Sequence, residues 1–201
     1  MDSDISAMPD LVRIENKSLD DMQEICMDLT HSVYPHDKLY GQYCTIEEYI
    51  DCPPDMVFEY LADAKHLEEW TYSTRDMKET DKQGLYVFND AIGGITECYC
   101  RTEANRDAMT VDYHCAWDQG EQLWMIYLMR VIPARLVLNK PGSVVIWTNC
   151  HHPFYDKNPF PEKAPPDREG WVGDVWDMFY AGHTIEMSNL KKILEFRYHK
   201  D

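Results

Sequence analysis

The stretch TIEEYIDCPPDMVFEYLADAKHLEEW, residues 45–70, sets the order of elements for the rest of the chain. Tyr43 to Asp51 reads as a strand, and Cys52-Pro53-Pro54 stops it, since proline has no amide hydrogen to give a sheet ladder. The same prolines can open a helix, because first-turn N–H groups have no partner to lose. Met56, Val57, Tyr60 and Leu61 give that helix one apolar face. Ala64 to Trp70 continues as a second short helix.

Downstream the period changes from helical to alternating. Strands are expected over Thr71–Glu79, Gly84–Asn89, Ile95–Arg101, Met109–Trp117, Gln122–Leu138 and Ser143–His151. Turn residues separate them: Lys82-Gln83-Gly84, Gly93-Gly94, Asn105-Arg106-Asp107, Asp118-Gln119-Gly120 and Asn139-Lys140-Pro141-Gly142. Short turns between successive strands build an antiparallel meander. Pro133, inside the longest run, marks a bulge or an edge. Residues 153–170 hold five of the eleven prolines and form a surface loop. Trp171 to Arg197 then gives the longest helical pattern, at ~1.5 Å per residue roughly 40 Å. Trp176, Phe179, Tyr180, His183, Met187, Leu190 and Leu194 fall on its apolar stripe.

Upstream, residues 1–40 form an acidic extension with one helix, from Ser18 as cap to about Thr30, and residues 41–201 form the body. Met22, Ile25 and Leu29 give that helix a face to pack on the body or on a partner.

Composition excludes several classes. With 19 Lys+Arg against 36 Asp+Glu the formal charge is −17, the wrong sign for nucleic acid or for an anionic membrane surface. At 201 residues, 44% of them hydrophobic, one domain with a substantial core is expected. No run of about 18–20 apolar residues suggests a membrane span. MDSDISAMPD at the start lacks a secretory pattern. Seven cysteines without a CxxC pair fit reduced thiols in a cytoplasmic protein. Cys98, Cys100 and Cys115 could meet across two strands, as a metal site or, more simply, as buried thiols.

One strand, two short helices, six antiparallel strands and a long last helix is the order of the helix-grip fold. The segment 45–70 resembles the opening of the START-like or SRPBCC superfamily, at Ile50, Asp51, Pro53, Val57, Phe58, Leu61, Asp63 and Trp70, and NLKKILEFR (189–197) is similar to its closing helix. The resemblance implies an α+β fold: a curved antiparallel sheet wrapped around the C-terminal helix, with an internal cavity between them. It also implies a hydrophobic small-molecule ligand, but no single reaction, since the superfamily spans cyclases, dehydratases, carriers and receptors. Residues 153–170, before the long helix, would be a lid or a simple surface excursion.

The candidate chemistry follows from this cavity. His183, on the apolar stripe, would be a general acid/base tuned near neutrality, or a core histidine with one hydrogen bond. Tyr180 and His152 would orient a substrate oxygen. Asp112 and His114 share a strand face that is either the cavity side or solvent; Val111, Tyr113 and Cys115 make the opposite face more apolar. Trp176, Phe179, Met187 and Trp147 would line the cavity. Arg130 could anchor a carboxylate or enolate. His183 and Glu186, with His151 or His152, could also make a His/His/carboxylate metal set.

The leading expectation is an acid–base enzyme of the polyketide cyclase/dehydratase type, needing no cofactor or metal. The alternatives are a non-catalytic carrier or sensor and a metal-dependent lyase or oxygenase. A homodimer is left open.

Overall fold

The computed structural model describes Ile5, Met8 and residues 11–33, 43–92, 96–167 and 170–199. Seven strands form one antiparallel sheet: β1 (Tyr43–Ile50), β2 (Thr74–Glu79), β3 (Leu85–Asp90), β4 (Thr96–Asn105), β5 (Thr110–Trp117), β6 (Met125–Pro133) and β7 (Ser143–Cys150). Their order is β1-β7-β6-β5-β4-β3-β2, so the first strand closes against the last and the other six meander. β1 pairs with β7 from Tyr43↔Cys150 to Ile50↔Ser143. The β6–β7 turn tucks Gly142 against the end of β1. A Cβ there would lie 2.7 Å from the Ile50 carbonyl oxygen, and φ is +97°, so only glycine fits.

Among the described residues six α-helices accompany the sheet: α1 (Leu19–Val33), α2 (Pro54–Ala62), α3 (Leu67–Trp70), α4 (Ala134–Val137), α5 (Pro153–Asp156) and α6 (Phe179–Tyr198). α6 lies in the grip of the sheet, burying Leu190, Ile193 and Leu194 in the main core with Ile50, Val57 and Leu61. Its far end is tied to the α2–α3 region. Arg197 pairs with Glu69 at 2.8 Å, and Tyr60 donates to the same carboxylate at 2.6 Å.

Three expected elements differ. The long helix is divided: a 3₁₀ segment over Val172–Met178 precedes α6, which is about 30 Å long. Within that 3₁₀ segment Gly173 packs so closely on the Tyr155 carbonyl that a Cβ would overlap it. The sixth strand ends at Pro133, which leads into α4 instead of forming a bulge or continuing to Leu138. β2 begins at Thr74, since Thr71 turns its hydroxyl back to the Leu67 carbonyl and closes α3.

The segment before β1 is built into the body. Ser18 and Asp21 cap α1 reciprocally, each side chain accepting the other's backbone N–H at 3.1 Å. Met22 and Cys26 pack with Tyr72, Ala181 and Ile185. Asn189, fully buried on α6, accepts the Val12 N–H at 3.1 Å and donates to the Val12 and Trp70 carbonyls at 2.8 and 3.2 Å. Among the described residues, no helix is long and apolar enough to cross a membrane.

Candidate functional site

A cavity of about 220 Å³ opens between α6 and the half of the sheet carrying the C-terminal end of β5 and the start of β6. Alternation along the strands decides its wall: Tyr113, Cys115 and Trp117 of β5, Met125 and Tyr127 of β6 and Trp147 of β7 point inward. Cys26 of α1 and Trp70 at the end of α3 close one side, and Val172, Val175, Met178 and Phe179 another. The wall is therefore mostly aromatic and aliphatic.

His183 and Glu186, one helical step apart on α6, both face it. The surface each keeps accessible is cavity wall. The His183 ring stacks on Trp147 at 4.1 Å, with Tyr127 at 5.6 Å and Phe179 at 5.3 Å. Among the described residues no group hydrogen-bonds this imidazole. Burial among those rings pushes its pKa down from 6.5 to about 3, so it is neutral. Burial moves Glu186 the opposite way, up from 4.5 to about 8, with the nearby Asp90 adding to the rise; the Tyr72 N–H, donating at 3.2 Å, and Arg75 oppose it. Asp90 lines the same cavity and accepts from the Ser73 hydroxyl at 2.6 Å and the Ile92 N–H at 2.9 Å. Arg75 is engaged elsewhere, with the Glu15 carboxylate and the Thr71 and Tyr72 carbonyls.

Of the ten site residues expected from sequence, His183, Phe179 and Trp147 line the cavity. Even for His183 the expected chemistry changes: with no carboxylate paired to its ring, burial alone acts and the imidazole leaves the neutral range. Asp112 and His114 lie on the outer face of β5, opposite Tyr113 and Cys115, as pleating requires. Arg130 is exposed on β6. His152 sits outside the cavity, where Nδ1 accepts the Phe154 N–H at 3.1 Å and the ring lies 5.1 Å from Trp124. Trp176 joins a separate aromatic cluster with His151 and Tyr155, at 4.8 and 4.9 Å. Met187 is buried in the core and Tyr180 packs beside it, neither lining the cavity. Residues 153–167 contribute nothing to the wall; its rim comes from the 3₁₀ segment behind them.

Those placements separate His151 and His152 from His183 and Glu186. Among the described residues no three His, Cys, Asp or Glu groups come together as metal ligands. Cys100 and Cys115 are direct cross-strand partners, and burial and their mutual contact keep Cys115 a thiol. Glu186, which periodicity offered only as a metal ligand, and Asp90, which no pattern marked, are the groups the sequence reading missed.

Comparison with known proteins agrees with this architecture. A protein of unknown function from Staphylococcus aureus superimposes with a TM-score of 0.53 at 11% identity, over 78% of this chain and 95% of that one. The Zhui aromatase/cyclase from Streptomyces sp. R1128 gives 0.52 at 16% identity, over 78% and 95%. A Chromobacterium violaceum protein gives 0.51 at 17% identity, over 77% and 99%. The fold is the helix-grip fold. At these identities the likeness shows the fold alone. No curated protein matches the chain in sequence. A family model described as Domain of unknown function (DUF8713) matches residues 42–151, β1 through the end of β7 and more than half of the chain, and the chain belongs to that family.

Proposed function

We propose that this chain holds one small, largely apolar molecule in the cavity, with a polar group of that molecule set against His183 and Glu186. One observation carries the reading: an imidazole that no described residue hydrogen-bonds faces a largely aromatic and aliphatic space. A ligand that bonds this imidazole supplies the partner that the described residues do not. Neutral imidazole offers one N–H and one lone pair, suited to a hydroxyl or carbonyl. A ~150 Å³ apolar cavity holds benzene, so this one has room for about nine non-hydrogen atoms.

The test uses Trp70, Trp117 and Trp147 as reporters, since all three line the cavity. Titration with 2-phenylethanol and acetophenone should give a saturable change in tryptophan fluorescence. Gly182→Leu should remove that change, because Gly182 lines the cavity and a Cβ there meets no atom within 4 Å. No saturable change in the wild type, or an equal one in folded Gly182→Leu, would sink the assignment.

A second reading, acid–base catalysis of the cyclase/dehydratase type, is favoured by Glu186. A carboxyl held at about 8 exchanges protons near neutral pH, as His183 at about 3 does not. Ionised Glu186 would take a proton from the carbon next to a substrate carbonyl. The C–H electron pair would form a carbon–carbon double bond and the carbonyl π pair would move onto the oxygen, with the His183 N–H donating to that oxygen. Binding without turnover supports a carrier; turnover lost in Glu186→Gln with binding kept supports the enzyme.

A further inference from the structure

We infer that the cavity is built for a protonated arylalkylamine, its ring among Trp147, Tyr127 and Phe179 and its ammonium held by Glu186 and Asp90. The inference rests on the cavity being a ligand site, and adds the charge of the ligand. Among the described residues Glu186 and Asp90 are the acidic residues of the wall, and neither Lys nor Arg lines it. The nearest cation to Glu186, Arg75, pairs with Glu15 and three backbone carbonyls of residues 71–74. One Glu186 oxygen accepts the Tyr72 N–H, and the other has no partner among the described residues. The wall is rich in aromatic side chains, whose ring faces attract a cation and repel an anion. A net charge of −17 also draws cations toward the molecule from a distance.

The groups facing Glu186 are Tyr72 and Arg75 beside and on β2, Asp90 on β3, Cys26 on α1 and His183 on its own helix. In the empty cavity they leave its carboxyl protonated at pH 7, because burial holds it at about 8. An incoming ammonium reverses that preference. The O–H bond of Glu186 breaks, its electron pair stays on the carboxylate, and the proton leaves to solvent. Ammonium and carboxylate then remain as a pair. About 0.9 proton per molecule bound should therefore be released at pH 7. A neutral alcohol of the same shape should release none.

Isothermal titration calorimetry of the full chain at pH 7, in phosphate and in Tris, measures both affinity and proton count. The probes are 2-phenylethylamine, 2-phenylethanol and phenylacetate, alike in size and differing in charge. The amine should bind at least tenfold more tightly than the alcohol and release close to one proton; phenylacetate should not bind. Glu186→Gln should bring the amine down to the alcohol's affinity and abolish proton release. Asp90→Asn should weaken amine binding severalfold while leaving the alcohol unchanged, which keeps the test open should Glu186→Gln not fold. Alcohol binding as tight as amine, amine binding without proton release, or a preference that survives Glu186→Gln would each overturn the charge assignment and leave the cavity reading standing. Failure of both amine and alcohol to bind would remove the two together.

Discussion

Raising the pH from 6.5 to 8 should weaken the fold by about 1–1.5 kcal/mol, and Glu186→Gln should abolish that loss. In the folded chain Glu186 titrates at about 8 against an ordinary 4.5, and His183 at about 3 against 6.5. Above pH 4.5 the unfolded chain gives up the glutamate proton while the folded chain keeps it, so stability falls as pH rises toward 8. Below pH 6.5 the unfolded chain binds a histidine proton that the folded chain refuses, so stability falls as pH drops toward 3. Between 4.5 and 6.5 the two slopes oppose each other and leave a plateau. Above 6.5 the histidine contribution fades and the glutamate slope dominates, at most about 1.4 kcal/mol per pH unit and half that by pH 8. Urea unfolding followed by tryptophan fluorescence, in half-unit steps from about pH 5 to 8.5, reads it directly. Glu186→Gln should gain on the wild type along that same slope up to pH 8. His183→Gln should gain on it only as pH falls below 6.5. Parallel wild-type and Glu186→Gln curves would refute the claim that burial sets this carboxyl.

Asn189→Ala should cost about 3 kcal/mol by leaving the Val12 N–H and two carbonyls without partners. Hydrogen exchange should then speed up most over residues 11–33, and uniform acceleration would contradict the anchoring role. Gly182→Ala should raise stability by about 0.5–1 kcal/mol, since a Cβ there meets open space in a helix interior; a loss in thermal melting would show that the space is filled. Among the seven cysteines, exposed Cys150 should react first with a thiol reagent. Cys26, held at about 11, and Cys44, at about 12, should react only on unfolding, and early labelling of either would disprove that burial.

The fold was legible where the signal is local. Pro53 and Pro54 end β1 and start α2 for reasons contained in their own ring, and that boundary falls where the residues place it. The α1 cap is equally local, with Ser18 and Asp21 three residues apart. The division of the long helix was not legible in this way. Nothing around Gly173 in sequence announces that the Tyr155 carbonyl will press against it within the 3₁₀ segment. The extension's helix was expected to pack on the body or on a partner, and Met22 and Cys26 pack on the body. The attachment also runs through Asn189, 177 residues away from Val12.

The site divides along the same line. Alternation along β5 assigned Tyr113 and Cys115 to the more apolar face, and that face is the cavity wall, which leaves Asp112 and His114 outside. Periodicity put His183 toward the sheet, where burial moves its pKa away from the neutrality expected of a general acid/base. Burial disfavours whichever form of a group is charged. For imidazole that form is the protonated one, so an apolar cavity drives its pKa from 6.5 away from neutrality. For a carboxyl it is the deprotonated one, and the same cavity drives the pKa from 4.5 through neutrality. Histidine stays near pH 7 in such a place only when a carboxylate sits on its ring, and His183 has aromatic rings there instead. In an aromatic pocket without counter-charges, the proton carrier at physiological pH is therefore the acid. That argument selects Glu186 over the neighbouring histidine, and it applies whether the proton goes to a substrate carbon or is displaced by an ammonium.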